Sequence, residues 1–370
     1  MSDSGPRPKR ILVAPLDWGL GHATRCIPLI RELNEAGCEV ILGADGAPLE
    51  LLSKEFPFLE KILLPGYGIR YANGGAGFGM KMIAQLPVIR KAIRREARVL
   101  RQWLATHQLD AIISDNRFGL HIPGIPSVIM THQLGIRSPF GPVSEKWLKW
   151  ANYRYIQKFD ACWVVDFPGD RNLAGKLSHP DVLPRIPLTY LGCLSRLQPG
   201  KKAITRDLTV VISGPEPQRS LFEQLITEQV LDTGLSVLIV RGQPGAPIRE
   251  STDSRIRIVP HLESERLNEA LLESAFVLCR SGYSSVMDLV RLGKKAILVP
   301  TPGQTEQEYL GSYLMGRQYF LTAAQKNFRL KETLEQAAHF PYRPIDMPAM
   351  DNYRAVLRSF VQSLGATHPL

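Results

Sequence analysis

The chain alternates short apolar runs with longer stretches in which apolar residues recur every three or four positions. "ILVAPL" (11–16) is continuously apolar and has the length of one buried parallel strand. "ATRCIPLIRELNEAG" follows and sets Cys26, Leu29, Ile30 and Leu33 on one helical face, with Gly37 as the stop. "EVILGADG" (39–46) is the next strand, and the rhythm continues through "LDAIISDN" (109–116), "IPSVIMTHQ" (125–133) and "ACWVVDF" (161–167). Around 195–207 the text becomes polar and irregular, "SRLQPGKKAITRD", which reads as a linker. The rhythm then restarts. "LTVVISG" (208–214), "LSVLIVRG" (235–242), "IRIVPH" (256–261), "AFVLCRSG" (275–282) and "KAILVPTPG" (295–303) read as strands, with helices such as "RSLFEQLITEQVL" between them.

This pattern predicts an α/β protein with two Rossmann-like, doubly wound domains facing a central cleft. The expected boundaries are 1–195, 206–340, and a C-terminal helix in 341–370 that packs back on the first domain. Ligands in such sheets bind beyond the carboxyl ends of the strands, so both halves are expected to aim those ends at the cleft.

Length agrees, because 370 residues exceed one ordinary domain. A content of 44% hydrophobic and 22% charged residues is that of a soluble globular protein, without an apolar run long enough to span a membrane. The opening "MSDSGPRPKR" lacks the apolar core of a secretion signal. The five cysteines (26, 38, 162, 193, 279) form no C-x-x-C pair, which points to a reducing cytoplasm and to no structural metal. The formal charge of +10 favours acidic partners: nucleic acid, anionic lipid or a phosphorylated ligand. No nucleic-acid motif is present, so no nucleic-acid partner is expected.

Candidate chemistry begins in "DWGLGHATR" (17–25). Gly19 and Gly21 permit a tight turn, and the helix behind them offers free N–H groups to an anion. A dinucleotide site would want a third glycine where Thr24 stands, although Asp45 ends the second strand where a ribose-binding acid would sit. His22 suits a general base, with an ordinary pKa of about 6.5; equally, it reads as a helix cap. The second cluster is "CRSGYSSVMDLVRLGKKAILVPTPGQTEQEYLG" (279–311). Ser281 and Gly282 end a strand, Ser284 and Ser285 open a helix, and Asp288 lies further in, suited to a ribose diol. Gln304, Gln307 and Glu308 follow the next strand and suit sugar hydroxyls. Singly, each reads as ordinary N-cap or first-turn chemistry; the ordered set is more specific.

These residues resemble the donor site of glycosyltransferase family 28, and "DWGLGHATR" resembles that group's N-terminal Gly-rich loop, which carries a histidine at the corresponding place. The resemblance implies the GT-B fold and an inverting transfer from a nucleotide sugar, usually a UDP-sugar, to a hydroxyl acceptor, without metal or other cofactor. It implies that Asp288 holds the ribose and that Gln307 and Glu308 stand where the family has a Gln-Gln pair on the donor sugar. The second position departs, Glu for Gln. "SGPEPQR" (213–219) stands where the family has a loop near the diphosphate, so Ser213, Gly214 and Arg219 carry over, and backbone around Pro260 and His261 would read the base. Related enzymes orient the histidine with an aspartate from a later strand end, and "IISDNRFG" (112–119) offers Asp115. The alternative for Asp115 is a turn residue capping "NRFG". Asn116, His132 and Gln133, at strand ends of the first domain, are candidate acceptor contacts. Competing readings are a UDP-sugar 2-epimerase, for which Glu308 is the only hint, an NAD(P)-dependent oxidoreductase, and a non-catalytic nucleotide-sugar binding protein.

Charge adds one more feature. "RKAIRREARVLR" (90–101) follows a glycine-rich "NGGAGFG" (73–79), and "KWLKWANYRYIQK" (146–158) mixes Trp147, Trp150, Tyr153 and Tyr155 with basic residues. Together they suit peripheral contact with an anionic membrane, at the inner face for a cytoplasmic protein. The alternative is a solvated basic face with its aromatics packed inside.

Overall fold

A computed structural model describes residues 7–68, 85–249 and 251–364; the glycine-rich 73–79 lies outside them. The chain divides into two compact units. Of the described residues, the first comprises 7–68, 85–195 and 347–364; the second comprises 196–249 and 251–346.

In the first unit the chain runs β1 (Arg10–Pro15), α1 (Leu20–Glu35), β2 (Glu39–Ala44), α2 (Gly46–Glu55), β3 (Glu60–Leu63), α3 (Leu86–Leu104), β4 (Ala111–Asp115), β5 (Ser127–Thr131), α4 (Pro142–Ile156), β6 (Ala161–Val164) and β7 (Leu188–Tyr190). The strands form one parallel sheet in the order β3-β2-β1-β4-β5-β6-β7. β1 is central, and Ile11, Leu12, Val13 and Ala14 have no exposure, as a strand covered on both faces requires. The apolar face of α1 (Cys26, Leu29, Ile30, Leu33) is likewise fully buried, and Gly37 stands at φ +77 just past the helix end. The C-terminal helix Asn352–Ser363 belongs to this unit. Its Arg358 donates to the buried carboxylate of Glu32 on α1 at 2.7 Å, Asn352 donates to the Tyr190 carbonyl at 2.7 Å, and Phe360 meets Trp163 edge-on.

α3 turns Ala92, Ile93, Glu96 and Leu100 inward and keeps Arg90, Lys91, Arg94, Arg95, Arg98 and Arg101 exposed. Glu96 is wholly buried against Arg117 at 2.9 Å. It also accepts from Tyr67 Oη and the Gly119 N–H, so each carboxylate oxygen is satisfied. That network pins the segment after β3 and the turn after β4 onto α3. A buried pair of this kind is tolerable only because its remaining hydrogen bonds are made.

The second unit runs β8 (Arg206–Val211), α5 (Gln218–Val230), β9 (Val237–Val240), β10 (Ile256–Val259), α6 (Ser264–Leu272), β11 (Ser274–Cys279), α7 (Tyr283–Leu292), β12 (Ala296–Leu298), α8 (Thr305–Gly316), β13 (Leu321–Thr322) and α9 (Leu330–His339). Its sheet is also parallel, in the order β10-β9-β8-β11-β12-β13. Phe222 and Ile226 of α5 pack with Leu208, Val210, Leu278 and Ile297 in its core.

Each sheet has one place where successive connections leave in opposite directions: between β1 and β4 in the first, between β8 and β11 in the second. Loops beyond strand ends part there, leaving a crevice.

Candidate active site

In the first unit the crevice is built from the loop after β1 and the end of β4. The Leu16 N–H donates to the Asp115 carbonyl at 3.0 Å, joining the two. Gly19 then turns at φ +80 as the residue before α1, a conformation that glycine adopts without strain. Gly21 lies within the first helical turn, where the Thr24 hydroxyl donates to its carbonyl at 3.0 Å. Thr24 thus closes the helix start, which a third glycine would leave open.

His22 sits in that first turn with 14% of its side chain exposed, and its Nδ1 is 3.0 Å from Asp115 Oδ2. Asp115 ends β4 and is buried. It does not hold the following turn: the Ser114 hydroxyl does so, donating to the Arg117 carbonyl at 2.6 Å and accepting from its N–H at 3.2 Å. Asn116 takes φ +57 there, and its N–H donates to the Met130 carbonyl. The Asp115 carboxylate is therefore left for side chains.

Arg25 is the residue that the sequence pattern hid. One turn after His22, it is buried and grips Asp115 two-pronged, Nε to Oδ2 at 2.7 Å and a terminal nitrogen to Oδ1. The same terminal nitrogen lies 2.8 Å from His22 Nδ1, and the other lies 3.1 Å from Nδ1 of buried His132. Burial alone would raise the Asp115 carboxyl, but Arg25 and then His22 outweigh it and bring it down to about 2. For His22, burial is the largest influence and pushes the ring below its ordinary value; Asp115 opposes this and Arg25 adds to it. At neutral pH the site holds an ionised aspartate and a neutral imidazole. Gln133 follows His132, its N–H on Thr131 Oγ1 and its carbonyl on Asn152.

Asp45 directly follows β2. It precedes α2 and caps it, its carboxylate accepting from the Gly46 N–H at 2.8 Å.

In the second unit the crevice lies between the loop after β8 (212–217) and the loop after β11 (280–282). Gly214 holds φ +106, and a side-chain carbon built there would come within 4.0 Å of Thr301 Oγ1, so the loop after β12 also reaches this point. Ser213 is half-buried beside it. Gly282 precedes α7 at φ −69, and a side-chain carbon added there would meet no protein atom within 4 Å. Neither conformation nor packing within the protein calls for glycine there. Ser284 and Ser285 open α7, half-buried, and Asp288 follows in its second turn. Thr301 Oγ1 and Gln218 Oε1 are buried without a hydrogen-bond partner among the described residues. His261 stands beyond the end of β10, at the sheet edge.

Two expected donor contacts prove structural. Arg219 is buried, with its guanidinium committed to Glu216 (2.6 Å), Glu223 (2.7 Å) and the Arg241 carbonyl (3.3 Å). Glu216 in turn accepts the Ser220 N–H at 3.2 Å, so a carboxylate already occupies the start of α5. Ser281 is buried, and its hydroxyl donates to the Gln307 carbonyl at 2.8 Å. Gln304, Gln307 and Glu308 do converge at the start of α8. Gln307 accepts from the Thr301 N–H at 2.9 Å and donates to Gln304 Oε1; exposed Glu308 accepts from the Gly303 N–H at 2.9 Å.

Known proteins resemble this chain in sequence and in fold. Residues 211–359 match the glycosyltransferase family 28 C-terminal domain. An uncharacterized glycosyltransferase of Methanosarcina acetivorans is 23% identical over 330 residues, 81% of each chain, and one of Methanosarcina mazei is 22% identical over 331. Among solved structures, the glycotransferase of kitacinnamycin superposes with TM-score 0.62 at 17% identity, covering 98% of this chain and 97% of that one. MurG of Acinetobacter baumannii superposes with TM-score 0.56 at 15% identity, covering 96% and 100%. A UDP-glucosyltransferase from Polygonum tinctorium gives TM-score 0.59 at 12% identity, covering 98% and 94%. The chain carries the family 28 C-terminal domain on a GT-B fold and is a glycosyltransferase.

Proposed function

We propose that this glycosyltransferase moves a sugar from a UDP-sugar to an acceptor hydroxyl with inversion at the anomeric carbon. His22 Nε2 takes the hydroxyl proton as that oxygen bonds to the anomeric carbon. The bond to the diphosphate breaks, its electron pair stays on phosphate oxygen, and UDP leaves. Asp115 orients the imidazole and stabilises the imidazolium, the role a carboxylate plays in hydrolytic triads. The observation that carries this is the 3.0 Å contact between His22 and Asp115 at the β1/β4 crevice.

The donor is assigned to the second unit. The open space at Gly282 and the start of α7, with Ser284 and Ser285, suits a diphosphate. Asp288 takes the ribose, Gln304, Gln307 and Glu308 the sugar, and backbone around Pro260 and His261 the base. The unpartnered Thr301 Oγ1 and the half-buried Ser213 beside Gly214 supply further polar contacts. The choice of uridine is supported by the name of the Polygonum neighbour. Asn116, His132 and Gln133 line the acceptor side.

The acceptor is proposed to be met at an anionic membrane. Phe140, Val143, Trp147 and Trp150 are 49%, 83%, 48% and 55% exposed and recur at helical spacing along α4 and from two residues before its start. Lys146, Arg154 and Lys158 are exposed among and beyond them, and among the described residues no helix is long and apolar enough to cross a membrane. The test is a thermal-shift panel of nucleotide sugars, then mass spectrometry of products with the sugar that stabilises. A UDP-sugar that stabilises and gives a glycosylated product supports the reading; stabilisation by NAD(P) and by no nucleotide sugar contradicts it.

A further inference from the structure

Arg25 raises a question that the proposed reaction leaves open. A buried carboxylate beside an imidazole ordinarily draws a proton onto the ring. A ring already protonated cannot accept one from a substrate. In this site the carboxylate meets a guanidinium first. Nε and a terminal nitrogen take both oxygens of Asp115, and the same guanidinium reaches Nδ1 of His22 at 2.8 Å and of His132 at 3.1 Å.

We propose that Arg25 is a positioning residue which neutralises Asp115 so that His22 rests uncharged, and which fixes His132 through Nδ1 so that the remaining ring hydrogen of His132 sits on Nε2. This rests on the reading of His22 as the base. It divides the two histidines by role. His132 accepts from Arg25 at Nδ1, which puts its ring hydrogen on Nε2. His22 Nδ1 lies between a guanidinium nitrogen at 2.8 Å and a carboxylate oxygen at 3.0 Å. The guanidinium nitrogen beside the ring donates to Asp115 Oδ1, so Nδ1 can keep its own hydrogen and donate it to Oδ2, which leaves the Nε2 lone pair as the ring's acceptor. Once it does, charges alternate as guanidinium, carboxylate and imidazolium, and the nearby guanidinium favours release of that proton afterwards.

The other groups nearby do not supply this control. Burial pushes the neighbouring Cys26 thiol well up, so it stays neutral. Asp17 accepts from the Tyr67 N–H. Further along α1, Glu32 is paired with Arg358 and Arg354, and Arg31 with Glu55 of α2.

The experiment is a histidine side-chain NMR titration of the full chain, with His22→Ala identifying the His22 signals, beside pH profiles of kcat/KM. In the native protein His22 is expected to titrate below the ordinary value of about 6.5. Arg25→Gln, which keeps an amide donor but removes the charge, should raise that midpoint by about one pH unit or more, and the acid limb of kcat/KM should follow. Arg25→Lys, which keeps the charge, should stay close to native in both. A native His22 midpoint at or above that ordinary value overturns the proposal, whatever the variants do. So does an Arg25→Gln protein whose His22 midpoint is unmoved while activity falls equally at every pH, because that is the mark of a structural brace. Turnover of His22→Ala separates the two claims. If it is unimpaired, the base reading fails on its own, and the titration still decides what Arg25 does to the imidazole.

Discussion

Asp115 has two neighbours competing for one carboxylate, and each predicts a separate loss when it is removed. Asp115→Asn takes the orienting charge from His22 and also leaves Arg25 as a buried cation without its counter-ion. Breaking a buried pair from one side costs about 3–5 kcal/mol, whereas an exposed pair such as Lys176–Asp181 is screened by solvent and contributes little. Urea denaturation should therefore show a loss in that range for Asp115→Asn and almost none for Asp181→Asn. His22 adds a pH dependence. Its folded pKa is depressed, so the unfolded chain binds the proton more readily, and stability falls as pH drops below about 6.5 toward the folded value. Thermal melts of the native protein and of His22→Gln between about pH 7.5 and 5 check the sign: the variant should lose less on acidification. A variant that loses as much would remove His22 from the linkage. Arg25 was not legible in the sequence, because an arginine on an amphipathic helix reads as solvent-facing. Its partners lie 90 and 107 positions away, and only the folded sheet brings them together. Arg219 and Ser281 fail for the reverse reason. Their residue types fit an anion or sugar site, but the fold gives them Glu216, Glu223 and the Gln307 carbonyl instead.

At the scale of elements, the central strands were legible because burial on both faces leaves a continuous apolar run, as in β1, β4 and β11. β3, β7 and β13 were missed. "EKIL", "LTY" and "LT" are two to four residues long and lie at or near the sheet edges, where partial exposure removes the apolar signal. α7 carries the donor prediction. Asp288→Ala should weaken UDP binding about ten- to a hundred-fold by calorimetry, the loss of a charged hydrogen bond; unchanged affinity would take Asp288 out of the site. α4 carries the membrane prediction. Ile89, Ala92 and Ile93 of α3 and Tyr155 of α4 belong to one small cluster, so each helix packs part of its inner face against it. Vesicles with anionic lipid should retain the protein and neutral ones should not. Each of Lys146→Glu and Lys149→Glu should weaken retention by about 1 kcal/mol or more, and salt should weaken it for the native protein. Equal binding to both vesicle types contradicts the assignment.

At the scale of the whole molecule, two parallel sheets each place candidate chemistry at the one point where their connections diverge. The first carries His22, Asp115 and Arg25; the second carries Gly282, Asp288 and the Gln304–Glu308 turn. That repetition was legible as a rhythm restarting after residue 207. The proposed base and the proposed donor site belong to different units, so they are expected to fail separately. The most direct test is turnover of His22→Ala measured beside its affinity for UDP. Base catalysis contributes about 10²–10⁴-fold, so kcat should fall by about that factor while UDP affinity stays native. A His22→Ala enzyme that turns over at the native rate, with UDP bound as tightly as before, would contradict the account.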